Sequence, residues 1–445
     1  MRMRLFHRSL IAILAAVLAF GTTANAQRVE VEFWHGLSGA LGELLEGTVA
    51  DFNASQDMYQ VNPSFKGSYD ETMNAAIAAF RAGTAPHIVQ MYEVGTATMM
   101  YAGGAIKPVH ELMAETGVPF DPSVYLPAIK GYYSLLDGSM MSMPFNSSTA
   151  VMWVNDTKLA AAGIDPATVS LDTWEEVREV AKQVVDTGAS TCGFSMAWPT
   201  WTQVEQFSAI HDVPIGTLSN GLEGLETEFL INSPLHVKHL QTLIDMQAEG
   251  SFTYGGRGNA GDALFASGEC AIVQGSSALV ARVRREATFD WSVHMLPYYA
   301  GTPGAPLNSI IGGASFWVMQ APNRTAEEFR AVAEFFAYIS TLEAAEKWHV
   351  DSGYLPIRFG VYEKLAAEGY YDDQPAMEIP YLQLTRGTAT PNSLGLRFGN
   401  MPAIRVIFEE EIELALQGQQ TAQQALDKAV ERGNVVLRAF ERANR

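Results

Sequence analysis

Two spacings in this chain match reactive sites known from protein chemistry, and both are weak. His236 and His239 stand three apart in PLHVKHLQTLIDM. A helix would bring both imidazoles to one face, and a neutral imidazole pair can hold a divalent metal. No third ligand is specified by the sequence, so the reading adopted for the pair is a solvated helix face. Gly256-Arg-Gly258-Asn-Ala-Gly261 matches GxGxxG letter for letter. A dinucleotide fingerprint must leave a buried strand and open a long helix, whereas this run follows a helix and a polar turn at residues 250–254. We therefore treat it as a decoy. The chain has no Walker loop, no GxSxG elbow and no HExxH, and no nucleophile, base or metal cluster stands in a recognisable context. The expectation is no catalytic residue, no metal and no cofactor.

What remains is a set of short segments rich in Ser, Gly and aromatic residues with a few charges between them. They are Lys66-Gly-Ser-Tyr69, Met91-Tyr-Glu93-Val-Gly-Thr96, Phe145-Asn-Ser-Ser148-Thr149, Ala197-Trp198-Pro-Thr-Trp201, Gln274-Gly-Ser276-Ser277, Ile311-Gly-Gly313-Ala-Ser315, Gly353-Tyr354-Leu-Pro356 and Gly395-Leu-Arg397-Phe-Gly-Asn400. Taken singly, each is a turn or a lid on a core. Together they suit reversible recognition, because hydroxyls and glycine N–H groups replace water around a small polar ligand while rings supply flat apolar walls.

The elements that must carry these segments alternate. Residues 29–34, 59–65 and 87–91 read as strands and residues 41–53 and 70–81 as helices, which makes a β-α-β-α-β run and implies a mostly parallel sheet covered on both faces. The alternation resumes with a strand at 152–155, a capped helix from Asp172 towards Thr187 and a strand at 270–274. Helices at 401–417 and 421–444 close the chain, the second opened by a capping box of Thr421 and Gln424. Pro, Gly and Ser interrupt the patterns at 143–149, at 308–315 and after Tyr354. Three such breaks suit two α/β lobes joined by chain crossings, each able to act as a hinge, with the ligand in the cleft between.

Composition bounds the partners. Residues 1–26 carry Arg2, Arg4 and Arg8, then an apolar run at 10–20, then Ala24-Asn25-Ala26, which is the order of a secretory signal peptide. Its run is shorter than a membrane span of about 20 residues. The expected mature chain of 419 residues begins near Gln27, is too long for one core, and carries a net charge of −23 once the three arginines are removed from −20. That charge opposes nucleic acid and anionic membranes. Cys192 and Cys270 are the only cysteines; a disulfide and two buried free thiols are both open readings.

Read in order, these motifs resemble the extracellular solute-binding proteins of ABC importers, in the maltodextrin-binding-like class. Class features are Asn155-Asp-Thr-Lys158-Leu, Thr173-Trp174-Glu-Glu and Phe265-Ala-Ser-Gly268-Glu-Cys-Ala271. GSYDETMNAAIAAFRAGTAPHIVQMYEVGTATMM, MPFNSST, IIGGASFWVM, SGYLP and GLRFGN are similar to the sn-glycerol-3-phosphate-binding branch of that class. The resemblance implies an α/β periplasmic binding protein fold of two lobes (Venus-flytrap type), with hinge crossings and a helical C-terminal region. Lobe 1 would be residues 27–147 and 313–360, and lobe 2 residues 148–312 and 361–445. It implies a periplasmic monomer, not an enzyme, that hands sn-glycerol 3-phosphate, and glycerophosphodiesters such as glycerophosphocholine, to membrane permease subunits. A maltodextrin-like sugar or a secreted phosphodiesterase activity are the alternatives.

Carried over by position, the resemblance implies Tyr69, Glu93, Ser148, Ser276, Gly313, Tyr354 and Arg397 as ligand contacts and Trp198 as a stacking surface. In that reading Arg397 offers a fork to two phosphate oxygens, and Glu93, which a phosphate would repel, accepts bonds from glycerol hydroxyls. A surface ion pair with residues 409–411 is the rival role for Arg397, and a helix cap near Thr96 the rival for Glu93. Ala150, Trp153 and Ala278 depart from the family pattern beside ligand positions and would alter the fit of a larger ligand.

Overall fold

The computed structural model describes residues 28–445. The signal segment expected at 1–26 lies outside the described residues.

Ten strands form two sheets. The first contains β1 (Val29–His35), β2 (Tyr59–Phe65), β3 (Ile88–Tyr92), β4 (Ile106–Lys107), β5 (Met143–Ser148) and β10 (Gly312–Met319); the second contains β6 (Ala150–Asn155), β7 (Cys192–Met196), β8 (Cys270–Ser276) and β9 (Trp291–His294). The first three strands agree with the sequence pattern to within a residue or two, since alternating apolar residues such as Val29, Val31 and Phe33 face one core. The helices Gly39–Ser55 and Tyr69–Arg81 connect them. The second of these is opened by a capping box in which Ser68 and Glu71 satisfy each other's backbone N–H. Thr173 with Glu176 and Thr421 with Gln424 do the same for Trp174–Asp186 and Ala422–Asn444.

The sheets are mixed rather than mostly parallel. β1 pairs β2 and β3 in parallel, but β10 runs antiparallel to β3, β4 and β5. In the second sheet β7 and β8 are parallel while β6 is antiparallel to β8 and β9. The cause is the crossing itself: the chain leaves the first sheet along β5 and comes back alongside it on β10, so the two must run in opposite senses.

Crossings predicted from Pro, Gly and Ser breaks lie at these strands and are tied together. Thr149, the single residue between β5 and β6, hydrogen-bonds through Oγ1 to Ser309 Oγ at 2.8 Å and to Ile310 O at 2.9 Å, both on the returning segment. Gln206 holds the same residue, accepting from Ile310 N and donating to Ile310 O. The segment after the helix Leu342–Ser352 joins them through Leu355 N, which donates to Ser147 O at 2.8 Å.

Cys192 and Cys270 stand opposite one another on β7 and β8 and form a disulfide, with their Cα atoms 4.5 Å apart, which resolves the two readings left open by the sequence. Among the described residues no helix is long and apolar enough to cross a membrane.

Candidate functional site

A cavity of about 470 Å³ opens between the two sheets. Its wall on the first-sheet side is formed by Tyr69, Tyr92, Glu93, Gly313 and Tyr354, and on the second-sheet side by Trp198, Trp201, Asn259, Asp262 and Ser276, with Ser148 at the crossing. Seven of the eight residues singled out from sequence line this one cavity. Arg397 does not.

Tyr69 is the best supported of them. It is the first residue of its helix, and its ring stacks on Tyr92 at 5.3 Å with the planes 13° apart. Asn146 Nδ2 donates to its hydroxyl at 3.1 Å, and Asn146 Oδ1 in turn accepts from Gln90 Nε2 at 2.9 Å. Gln90 is fixed by accepting from Gly36 N, so a chain of polar groups running through the sheet orients the phenol. Tyr69 O accepts from Asn146 and its hydroxyl also bonds with that of Tyr354, so the two phenols together keep a proton to donate to a ligand. The Tyr354 hydroxyl shares the same Asn146 and Tyr69 neighbours; burial pushes it up to about 12, and burial also lifts Tyr69 well above the ordinary phenol range. Both remain neutral donors at any physiological pH.

Ser276 caps the helical turn that follows β8, its hydroxyl accepting from Ala278 N at 3.2 Å, which again leaves a proton to donate. Ser148 lies opposite Gly312 across the β5–β10 pair, and Gly313 is next along, at φ +90°. A Cβ at Gly313 would collide with Asn146 O, so only glycine permits the strand to approach here. Beside it, Gly312 accepts the face of Trp201, whose indole would collide with any added Cβ.

The two tryptophans sit on distorted backbone. Trp198 has φ +52°, a region costly for a bulky side chain. Residues Trp201–Gln206 form a π-helical turn, an irregularity often found at functional sites. Gly261 packs directly under Met196, and Gly258 O accepts from Trp198 N at 2.6 Å. The glycines of the GxGxxG run thus serve to seat the Trp198 loop, with no strand-to-helix turn for a dinucleotide.

Glu93 is buried and does not cap a helix with its side chain. Its Oε1 accepts from Arg405 Nη2 at 2.6 Å. Arg405 also donates from Nε and Nη2 to Glu205, at 2.8 and 2.6 Å. Burial lifts the Glu93 carboxyl above its ordinary range while Arg405 opposes the lift. Burial works against the charge of Arg405, yet Glu205 and Glu93 outweigh it and hold the guanidinium charged. Arg405 lines the cavity and was not singled out from sequence. The signal that could have found it is its register: in the helix Met401–Leu416, residues Met401, Ile404, Arg405, Phe408 and Ile412 all face inward, so a cation occupies an apolar stripe.

Arg397 stands outside the cavity wall in this structure. Its Nη2 lies 2.8 to 3.2 Å from the carbonyl oxygens of Gly131, Tyr132 and Ser134, at the end of the helix Pro127–Tyr132. It is buried, it forms no ion pair with residues 409–411, and its Nε has no hydrogen-bond partner. Carbonyls at a helix C-terminus have no partner within the helix and carry its negative dipole end, so a guanidinium there satisfies both. The His236–His239 pair needs correcting. Both are buried, not solvated: His236 pairs with Ser208 and Ser233, and His239 Nε2 with Gln203 Oε1. No group able to hold a metal occurs among the described residues.

The model of the bacterial extracellular solute-binding protein family matches residues 47–379. The chain belongs to that family. It is 42% identical over 434 residues to the sn-glycerol-3-phosphate-binding periplasmic protein UgpB of Yersinia pseudotuberculosis serotype I (strain IP32953), covering 97% of each chain. It is 43% identical over 427 residues to the UgpB of Rhizobium meliloti (strain 1021), covering 96% of this chain and 98% of that one. Among solved structures, UgpB from Mycobacterium tuberculosis in complex with glycerophosphocholine superposes with a TM-score of 0.75 at 17% identity, covering 92% of this chain and 98% of that one. The cyclic alpha-maltosyl-1,6-maltose binding protein of Arthrobacter globiformis gives 0.72 at 22%, covering 93% and 100%. At those identities the likeness is one of fold, the two-lobe fold of periplasmic solute-binding proteins. This extracellular solute-binding protein thus belongs to a family of binding proteins, not enzymes, and its full-length relatives are periplasmic by name.

Proposed function

We propose that the chain is the solute-binding component of an ABC importer that captures sn-glycerol 3-phosphate and glycerophosphodiesters such as glycerophosphocholine and delivers them to membrane permease subunits. The observation that carries this is the division of the cavity's polar groups into two kinds. One kind is the neutral donors, the hydroxyls of Tyr69, Tyr354, Ser148 and Ser276 beside Gly313. The other is the charged pair Glu93 and Arg405, with Glu205 buried behind it.

A phosphate suits the first kind, since several neutral donors share its charge without a buried counter-charge to desolvate. It does not suit the second. Two carboxylates already surround one guanidinium, so a dianion there would meet net negative charge. That cluster offers both acceptors and a donor, which is what vicinal hydroxyls need. In this reading the arginine of the cavity is Arg405, which binds the glycerol end and not, as was expected of Arg397, the phosphate, while Trp198 and Trp201 cover the carbon face.

The ligand reading draws support from relatives 42–43% identical over almost the whole chain. Lobe 1 is taken as 27–147 with 313–360 and lobe 2 as 148–312 with 361–445. The protein acts as a monomer, exported to the periplasm by cleavage of residues 1–26 as a signal peptide. Closure is selected by ligand because only the closed form brings both walls to it.

Isothermal titration of the mature chain with sn-glycerol 3-phosphate, glycerophosphocholine and maltose tests the proposal. Dissociation constants near micromolar for the first two, about −8 kcal/mol, are expected, and heat with maltose alone would overturn it. Release of choline from glycerophosphocholine on prolonged incubation would show a phosphodiesterase instead.

A further inference from the structure

One acidic side chain in the cavity wall has no part in the scheme above. Asp262 opens the short helix Asp262–Ala266, directly after the turn Gly258–Gly261. It is 9% exposed and lines the cavity. Its Oδ1 is closed off from solvent and has no hydrogen-bond partner, an expensive arrangement for an ionised carboxylate.

The groups facing it are few. From the helix Val280–Glu286, Arg282 is the charge that acts on it. Beyond the helix Leu342–Ser352, the Tyr354 phenol is close enough to feel its charge. β8 contributes only uncharged residues, among them Gly275, where an added Cβ would stand 3.0 Å from Oδ1. From the turn before it, Arg257 is spent on Glu413 at 2.5 Å. Arg282 is itself tied to Glu286, donating from Nε at 2.7 Å, and Arg285 stands 3.6 Å from the same carboxylate. Burial lifts the Asp262 carboxyl to about 7, with Arg282 pulling the other way.

Gly275 is the chain neighbour of Ser276, so this carboxyl abuts the stretch of wall that carries the Ser276 donor. We propose that Asp262 makes the cleft proton-linked, taking up a proton when a phosphate monoester is held and so setting the preference between monoesters and diesters. The inference rests on the glycerol-phosphate reading above. A monoester above pH 6 carries close to two negative charges, whereas a diester carries one. An ionised Asp262 repels the first more than the second. Once protonated it stops repelling and becomes a hydrogen-bond donor. Rising pH therefore weakens monoester binding more than diester binding. The protein then discriminates two members of one ligand class by the acidity of its surroundings.

The test uses the mature wild-type chain with sn-glycerol 3-phosphate and with glycerophosphoglycerol, whose second head group is neutral, so that only the phosphate charge differs. Titration calorimetry at pH 6.5 to 8.5, in buffers of unequal ionisation enthalpy, gives both the affinities and the number of protons taken up. Between those limits the monoester-to-diester affinity ratio is expected to fall roughly tenfold. Monoester binding at pH 8, where the ligand's own second proton is gone, should take up a proton. Asp262→Asn should flatten the ratio and abolish the uptake, which separates Asp262 from Glu93 and Glu409, whose carboxyls burial also raises. A flat ratio with no uptake in the wild type overturns the inference while leaving the ligand reading intact, as does uptake that survives in Asp262→Asn. Failure of either ligand to bind at any pH overturns the ligand reading itself. Should Asp262→Asn not fold, Asp262→Ser carries the same two readings.

Discussion

Arg405 Nη2 stands 2.6 Å from Glu93 Oε1, joining the helix Met401–Leu416 to the end of β3, while the same guanidinium holds Glu205. A buried cation shared by two carboxylates is matched by a forked guanidinium and not by a compact ammonium. Arg405→Lys is therefore expected to weaken sn-glycerol 3-phosphate binding at least tenfold with the fold kept. Arg405→Leu should destabilise the chain by about 3–5 kcal/mol, because it leaves two buried carboxylates uncompensated. Titration calorimetry reads the first and chemical denaturation the second; undiminished affinity in Arg405→Lys would remove Arg405 from the site.

Arg397 should behave in the opposite way. With its Nη2 donating to the carbonyls of Gly131, Tyr132 and Ser134, Arg397→Met should cost about 2–3 kcal/mol of stability, since several buried acceptors lose their donor. Affinity measured on the folded fraction should change less than threefold. A large loss of affinity at unchanged stability would return Arg397 to the ligand.

Gly312 gives a steric test of the tryptophan wall. An alanine there would meet the Trp201 indole, and overpacking of this kind costs about 1–3 kcal/mol. Because the strain falls on a cavity wall, Gly312→Ala should lower ligand affinity and shift the tryptophan fluorescence of the free protein. Trp201→Phe in the same background should recover part of the affinity by relieving the collision.

Acid should destabilise the fold through its buried histidines. His211, His236 and His349 are almost wholly buried, and burial lowers each to about 4 from an ordinary 6.5. Folded, they stay neutral; unfolded, they take up protons below pH 6.5. Their contribution is therefore complete above pH 6.5 and is lost as pH falls from there towards 4, up to about 3 kcal/mol for each. Denaturant midpoints at pH 7.5, 6 and 4.5 should fall in that order, with the steepest change between the last two. A midpoint independent of pH would contradict this account.

The pattern of elements was legible because apolar alternation and capping boxes are local signals. Val29, Val31 and Phe33 mark β1, and Thr421 with Gln424 opens the last helix, from sequence neighbours alone. The sense of β10 was not legible, since it depends on the route of the chain between two sheets. The cavity-lining set was largely legible through resemblance, and the exception is instructive. Arg397 sits in a loop motif and reads as exposed chemistry, whereas Arg405 is hidden in an apolar helical stripe. Which of two arginines eight residues apart reaches the cavity depends on the packing of one helix. The histidine pair failed for a related reason: three-residue spacing fixes a shared face, and only tertiary packing says whether that face meets solvent or Gln203 and Ser208.

Thr149 touches both residues of the returning segment, Ser309 and Ile310, and Leu355 donates to Ser147 one step away. The three passages of the chain between the sheets are thereby laced into one strap. A strap bends about one axis where separate strings would let the halves twist and shear independently. On the function proposed above, a permease feeling the outer rims of the two halves would then receive a two-valued signal, gap or no gap, and a half-seated solute would have no third posture in which to be mistaken for cargo.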